Sequence, residues 1–242
     1  MLVVVNKSTS VNNDEVETMT RACATQLRLH ASPLWGLLPV PVVYYPADAQ
    51  APPGAIVLGV FDDSDQEGAL GWHTEDPDGT QYGRIFAKPV LDNGGDALTK
   101  DLSVASVLSH EVLEWYVDPR CNGWWDNGKG KLYAAEVCDP VESDSYVINV
   151  THGDQPATPV TVSNFVTPAW GDPQAHQGAT LDYLTRCQQP FEMTTGGYVI
   201  VRTGSKEKQV FGEKYPEWRR GMKRSITGRT SRRDGQAESA GT

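Results

Sequence analysis

The chain has 242 residues, 39% of them hydrophobic and 21% charged, with a formal net charge of −10. That length and balance suit a folded chain with a sizeable core and exclude a disordered or fibrous one. No apolar run reaches the roughly 18 residues a membrane span needs, so no membrane partner is expected.

The opening MLVVVNKSTS has no basic start and too short an apolar part for a signal peptide; it reads as a first strand over 2–5, and a cytoplasmic or virion-associated location is expected. Residues 14–29 have helical spacing, with Val16, Met19, Cys23 and Leu27 on one side and Asn13 or Asp14 as cap. His30 near its end is expected to act as a cap charge. VPVVYY (40–45) and GAIVLGVF (54–61) are β-branched, apolar and bounded by Pro and Gly, and predict strands. ALGWHT (69–74) and GRIFAKPV (83–90) predict another pair across a turn-rich EDPDG.

The clearest helix follows, with Asp101 as its expected cap, Leu102, Ala105, Leu108 and Val112 on its apolar side, and Pro119 as its stop. RCNGWWDNGKGK (120–131) reads as a loop, and LYAAEVCD (132–139) as a short helix or an extended piece. SYVINV (145–150) and TPVTVSNFV (158–166) predict a hairpin, and GGYVIVR (196–202) a last strand. Strands first, then one central helix, then irregular structure, predict an α+β fold and not alternating βα units.

Charge divides the chain. Residues 1–201 carry 10 Lys and Arg against 26 Asp and Glu, a net of −16, whereas 202–233 carry 11 against 3, a net of +8. The expected organisation is a body over 1–201 and a basic extension over 202–242, serving as a docking arm for an acidic protein assembly or nucleic acid. Cys23, Cys121, Cys138 and Cys187 form no C-x-x-C pair, so free, mostly buried thiols are expected, with Cys121 and Cys138 flanking the candidate site.

That site is SHEVLEWYVDP, residues 109–119. Positions i and i+4 of a helix share a face, so His110 and Glu114 can converge on one ion, and imidazole and carboxylate are both zinc ligands. Glu111 lies about 100° round the helix, beside the ion, where H-E-x-x-H enzymes keep the general base that takes a proton from metal-activated water. A catalytic zinc needs a third protein ligand, and AAEVCDPVE supplies Glu136, Asp139 and Glu142 as candidates. If that stretch is helical, Glu136 and Asp139 share a face, one binding metal and the other orienting His110. His73, His152 and His176 show no ligand spacing.

The run SHEVLEWYVDP…GWWDN…AAEVCDP, residues 109–140, resembles a zincin-like metallopeptidase group with an H-E-x-x-E…E-x-x-D pattern. Related spacings occur in EXORDIUM-type phosphate-induced proteins and in bacterial and phage proteins, and VSNFVTPAWGDP (162–173) is a weaker echo. The resemblance covers about residues 105–142 and implies metal-site roles for His110, Glu114, Glu136 and Asp139, with Glu111 catalytic. It also implies a twisted mixed sheet packed on the active-site helix, with an edge strand along the cleft for which GRIFAKPV is the candidate. The expected activity is a zinc-dependent hydrolase acting on a peptide or protein. The rival expectation is a weak or inactive zincin-like virion component docked through the basic arm. One His with two carboxylates makes a weaker Lewis acid than two His and one Glu, and the harder donors also admit Mn²⁺ or Ca²⁺.

Overall fold

A computed structural model describes residues 1–66 and 68–214. The chain is a mixed α+β protein. Strands β1 (Leu2–Asn6), β2 (Val42–Tyr45), β3 (Ile56–Phe61), β4 (Gly71–Glu75) and β5 (Gln81–Phe86) form one sheet in the order β2-β1-β3-β5-β4. The first four in that order run parallel, and β4 closes the sheet as an antiparallel edge. β1 is buried along its whole length, as a continuous Val-rich run in a parallel sheet should be.

Helix α1 (Asn13–Gln26) makes the crossover between β1 and β2. Its cap is Asn12, one residue before the expected pair, because Asn12 and Glu15 satisfy each other's backbone N–H groups reciprocally. It ends in a π-helical turn, Leu27–Ala31, followed by the short α2 (Ser32–Trp35). His30, in that turn, is no charged cap. Its Nδ1 lies 2.8 Å from the Tyr146 hydroxyl, its ring stacks on Tyr183, and burial lowers its pKa.

GRIFAKPV divides differently from the expectation. Residues 83–86 complete β5, an inner strand, while 87–92 form helix α3 (Ala87–Asp92). The edge belongs to β4, because β5 spends its second side on β3.

Helix α4 (Val104–Val117) carries the motif. Ser103, not Asp101, caps it, exchanging hydrogen bonds with Ser106. Twelve of its 14 residues are buried, so α4 is a central helix packed by β4, β5, α1 and the later hairpin. Asp118 closes it: its carboxylate accepts from the N–H groups of Asn122 and Gly123, turning the chain back toward the site.

The second half forms a four-stranded sheet, β11-β10-β7-β6, and the expected hairpin of β8 (Ser145–Val150) with β9 (Thr158–Ser163). β6 (Trp124–Asp126) arises inside the segment read as a loop. β7 (Leu132–Ala134) starts LYAAEVCD, which then runs irregularly into a 3₁₀ turn at Asp139–Val141, so Glu136 and Asp139 do not share a helix face. β10 (Tyr198–Thr203) is not the last strand, since β11 (Lys206–Phe211) pairs with it throughout. Residue 201 therefore lies inside β10, and 202–211 complete the sheet. The remainder of the expected docking arm, 215–242, lies outside the described residues. All four cysteines are free thiols, and no described helix is long and apolar enough to cross a membrane.

Candidate metal centre

His110 and Glu114 meet as their spacing requires, with Nε2 of His110 standing 3.1 Å from Oε1 of Glu114. The 3₁₀ turn brings Asp139 to the same nitrogen, at 3.3 Å from Oδ1. Bonds of about 2.0–2.1 Å in a tetrahedron hold ligand atoms about 3.3–3.5 Å apart, close to each of these two separations, while the donor atoms that gather within 4.8 Å around His110 are those of Glu114 with Cys138 and of Asp139 with Glu142.

Backbone pairing holds the two segments together. The Val166 N–H donates to the Val137 carbonyl at 2.8 Å, and the Cys138 N–H reaches Glu114 Oε1 at 3.3 Å. The Ser163 N–H donates to Ser109 Oγ at 2.7 Å, tying β9 to the residue before His110. The VSNFV stretch is thus the clamp that sets Asp139 against the helix.

The site is a buried concentration of negative charge. Glu111, Glu114, Glu136 and Asp139 are each at most 5% exposed. Neither carboxylate oxygen of Asp139 has a hydrogen-bond partner among the described residues. Burial raises the Glu114 pKa; the Asp139 and Glu136 carboxylates add to it against the pull of His110, leaving it at about 8. Burial alone would lower the His110 pKa, but Glu114, Asp139 and Glu111 hold it well above its usual range. Carboxylates crowded away from water are stabilised by a proton or by a cation, and groups of these side chains could hold a metal ion.

Two other side chains complete donor groups around His110: Glu142 comes within reach of His110 and Asp139, and Cys138 within reach of His110 and Glu114. Burial, then the Glu114 charge, pushes the Cys138 thiol well above its ordinary range. Glu136, the other expected donor, is buried close enough for its charge to raise the pKa of Glu114 and of His73.

His73 is the residue that spacing missed. From the middle of β4 its Nδ1 lies 3.1 Å from Oε2 of Glu111, and its side chain is fully buried. Burial lowers its pKa, but Cys121, Glu111 and Glu136 outweigh burial and hold it well above the usual range. Gly83 faces it across the ladder on β5, where a Cβ would stand 3.3 Å from that of His73. The other two dismissed histidines stay apart, His152 against the Thr18 hydroxyl and His176 beside the Gln177 carbonyl.

A cleft opens onto part of this cluster. Leu70, Gly71 and Trp72 of the β4 side form one wall, and His110, Glu111 and Glu114 line its floor. No family model matches the chain, and no curated protein or solved structure matches it either.

Proposed function

We propose that the chain is a zinc-dependent hydrolase of zincin-like fold, acting on a peptide or protein, with His110, Glu114 and Asp139 holding the ion and Glu111 as general base. One observation carries this reading: Nε2 of His110 stands 3.1 Å from Glu114 and 3.3 Å from Asp139, carboxylates of separate segments, and His110, Glu111 and Glu114 line a cleft. The antiparallel edge strand β4, laid along the helix that bears the motif, supports the zincin-like architecture.

When bound, the ion supplies a Lewis acid that acidifies water and polarises a carbonyl. The chain's own residues do the rest. His110, Glu114 and Asp139 fix the ion's position. Glu111, on the next face of α4, accepts the proton that the attacking water loses and can return it to the leaving amine. The buried wall of Val107 and Leu70 limits the water that competes at the floor. Zinc suits one nitrogen and two oxygens in a tetrahedron, and Mn²⁺ is the closest substitute for so oxygen-rich a set.

The experiment is elemental analysis of the purified chain together with casein hydrolysis by wild type and Glu111→Gln. The expected result is bound zinc in both and hydrolysis in wild type alone. A chain that takes up no divalent cation, or a variant as active as wild type, overturns the reading.

A further inference from the structure

We infer a second cation site in the same cleft, built by His73, Glu111 and Glu114, which shares Glu114 with the His110 site and, when filled, switches hydrolysis off. The inhibitory role rests on the reading of Glu111 as general base; the site itself does not.

Four observations carry it. The donor atoms of His73, Glu111 and Glu114 lie within 4.8 Å of one another, and all three side chains are buried. Nδ1 of His73 and Oε2 of Glu111 stand 3.1 Å apart, close to the separation of two ligands on one zinc ion. Nε2 of His73, on the far side of the ring, is buried with no hydrogen-bond partner among the described residues, which leaves Nδ1 as the nitrogen turned toward Glu111. Finally, Glu111, Glu114, Glu136 and Asp139 are all buried here, and with all four ionised one divalent ion leaves a residual negative charge beside His73.

Glu114 makes the two sites one unit. Its Oε1 faces His110, and its carboxylate belongs both to the group with His110 and Cys138 and to the group with His73 and Glu111. A carboxylate with two oxygens can bridge cations about 3.5–4 Å apart. Access is shared, because Glu111 and Glu114 line the cleft while His73 stands behind Glu111 on β4. One imidazole with carboxylates favours zinc over calcium. A cation on Glu111 occupies the lone pair that would take the proton from water, so excess zinc inhibits.

The test is titration of Zn²⁺ into the full chain after chelator stripping, by calorimetry and elemental analysis, for wild type, His73→Ala and His73→Gln. Wild type should take two ions, the second more weakly, and each folded variant one. Casein hydrolysis by wild type should rise over the first equivalent and fall by about 100-fold over the second, the scale of a general base's contribution; the variants should show no fall. A wild type saturating at one ion overturns the site and leaves His73 as a counter-charge to Glu111. A second ion that survives in either variant lies elsewhere and overturns it equally. Two His73-dependent ions without any casein hydrolysis sink the hydrolase reading and leave the site standing, whereas one ion with hydrolysis does the reverse.

Discussion

Gly71 and Glu111 touch: a Cβ built on Gly71 would stand 3.0 Å from both Cγ and Oε1 of Glu111, and 2.9 Å from a methyl of Val107. Real Cβ contacts are almost never so short, so the edge strand lies as close to α4 as a glycine permits. Gly71→Ala is therefore expected to push the Glu111 carboxylate away from His73. Overpacking of this kind costs about 1–3 kcal/mol, and displacing a reacting group by about 1 Å costs about 100-fold in rate. Denaturant unfolding and casein hydrolysis measure the two effects, and unchanged values in both would show that the strand can withdraw freely.

The two downstream acids should separate cleanly. Asp139→Asn removes a donor 3.3 Å from the His110 nitrogen, whereas Glu136→Gln removes a buried charge whose influence falls on Glu114 and His73. Losing a supporting partner typically costs about 10–100-fold in metal affinity, and losing a ligand more. Competition with a chromophoric chelator should rank Asp139→Asn as the weaker binder. The opposite ranking would move the third ligand to Glu136.

Without metal, stability should fall as pH rises. Glu114 titrates near 8 in the folded chain against 4.5 when unfolded, so the folded state keeps a proton that the unfolded state has released. That contribution is full below about 4.5 and disappears as pH climbs through about 8. His110 and His73, both raised above 6.5, act in the same direction, while His30, lowered by burial, opposes them. Melting temperatures in EDTA should therefore drop between about pH 5 and pH 8.5, and Glu114→Gln should flatten the slope. Saturating zinc should reverse it, since ligands bind metal deprotonated. A variant slope equal to the wild type's would remove Glu114 as its source.

Strand β11 should be indispensable. It pairs with β10 from Lys206 to Phe211, and Phe211 packs against Tyr198 and Ile200. A chain ending at Gly204 bares the β10 edge and loses that packing, about 2 kcal/mol of apolar burial. Against a chain ending at Lys214, its melting temperature should be lower by about 4–8 °C, with more aggregation by light scattering. Equal behaviour of the two chains would make β11 an ornament of the sheet.

Part of this was legible in the sequence. The helix under the motif, the convergence of His110 with Glu114, the first strand and the 145–166 hairpin follow from spacing and turn chemistry alone. β11 was hidden because KEKQVF is an exposed edge strand whose lysines discourage further pairing and break the apolar alternation. His73 was hidden for a different reason. Its partner is 38 residues away, and that contact depends on how β4 docks, which no local pattern encodes. A signal was nonetheless present, because Gly71 and His73 share a strand face and a glycine inside a strand marks a close approach. Glu136 and Asp139 needed the tertiary fold to be told apart, since the segment carrying them is irregular.

The clamp of Ser163 and Val166 on the helix and on Val137 has a consequence for biosynthesis. During translation the motif helix emerges some fifty residues before the strand that presses Asp139 against it. Until β9 is made, that clamp is absent and Asp139 has nothing to seat it against His110. If the proposed centre holds an ion, its third donor is thus assembled last, and a chain cut before β9 would offer only His110 and Glu114.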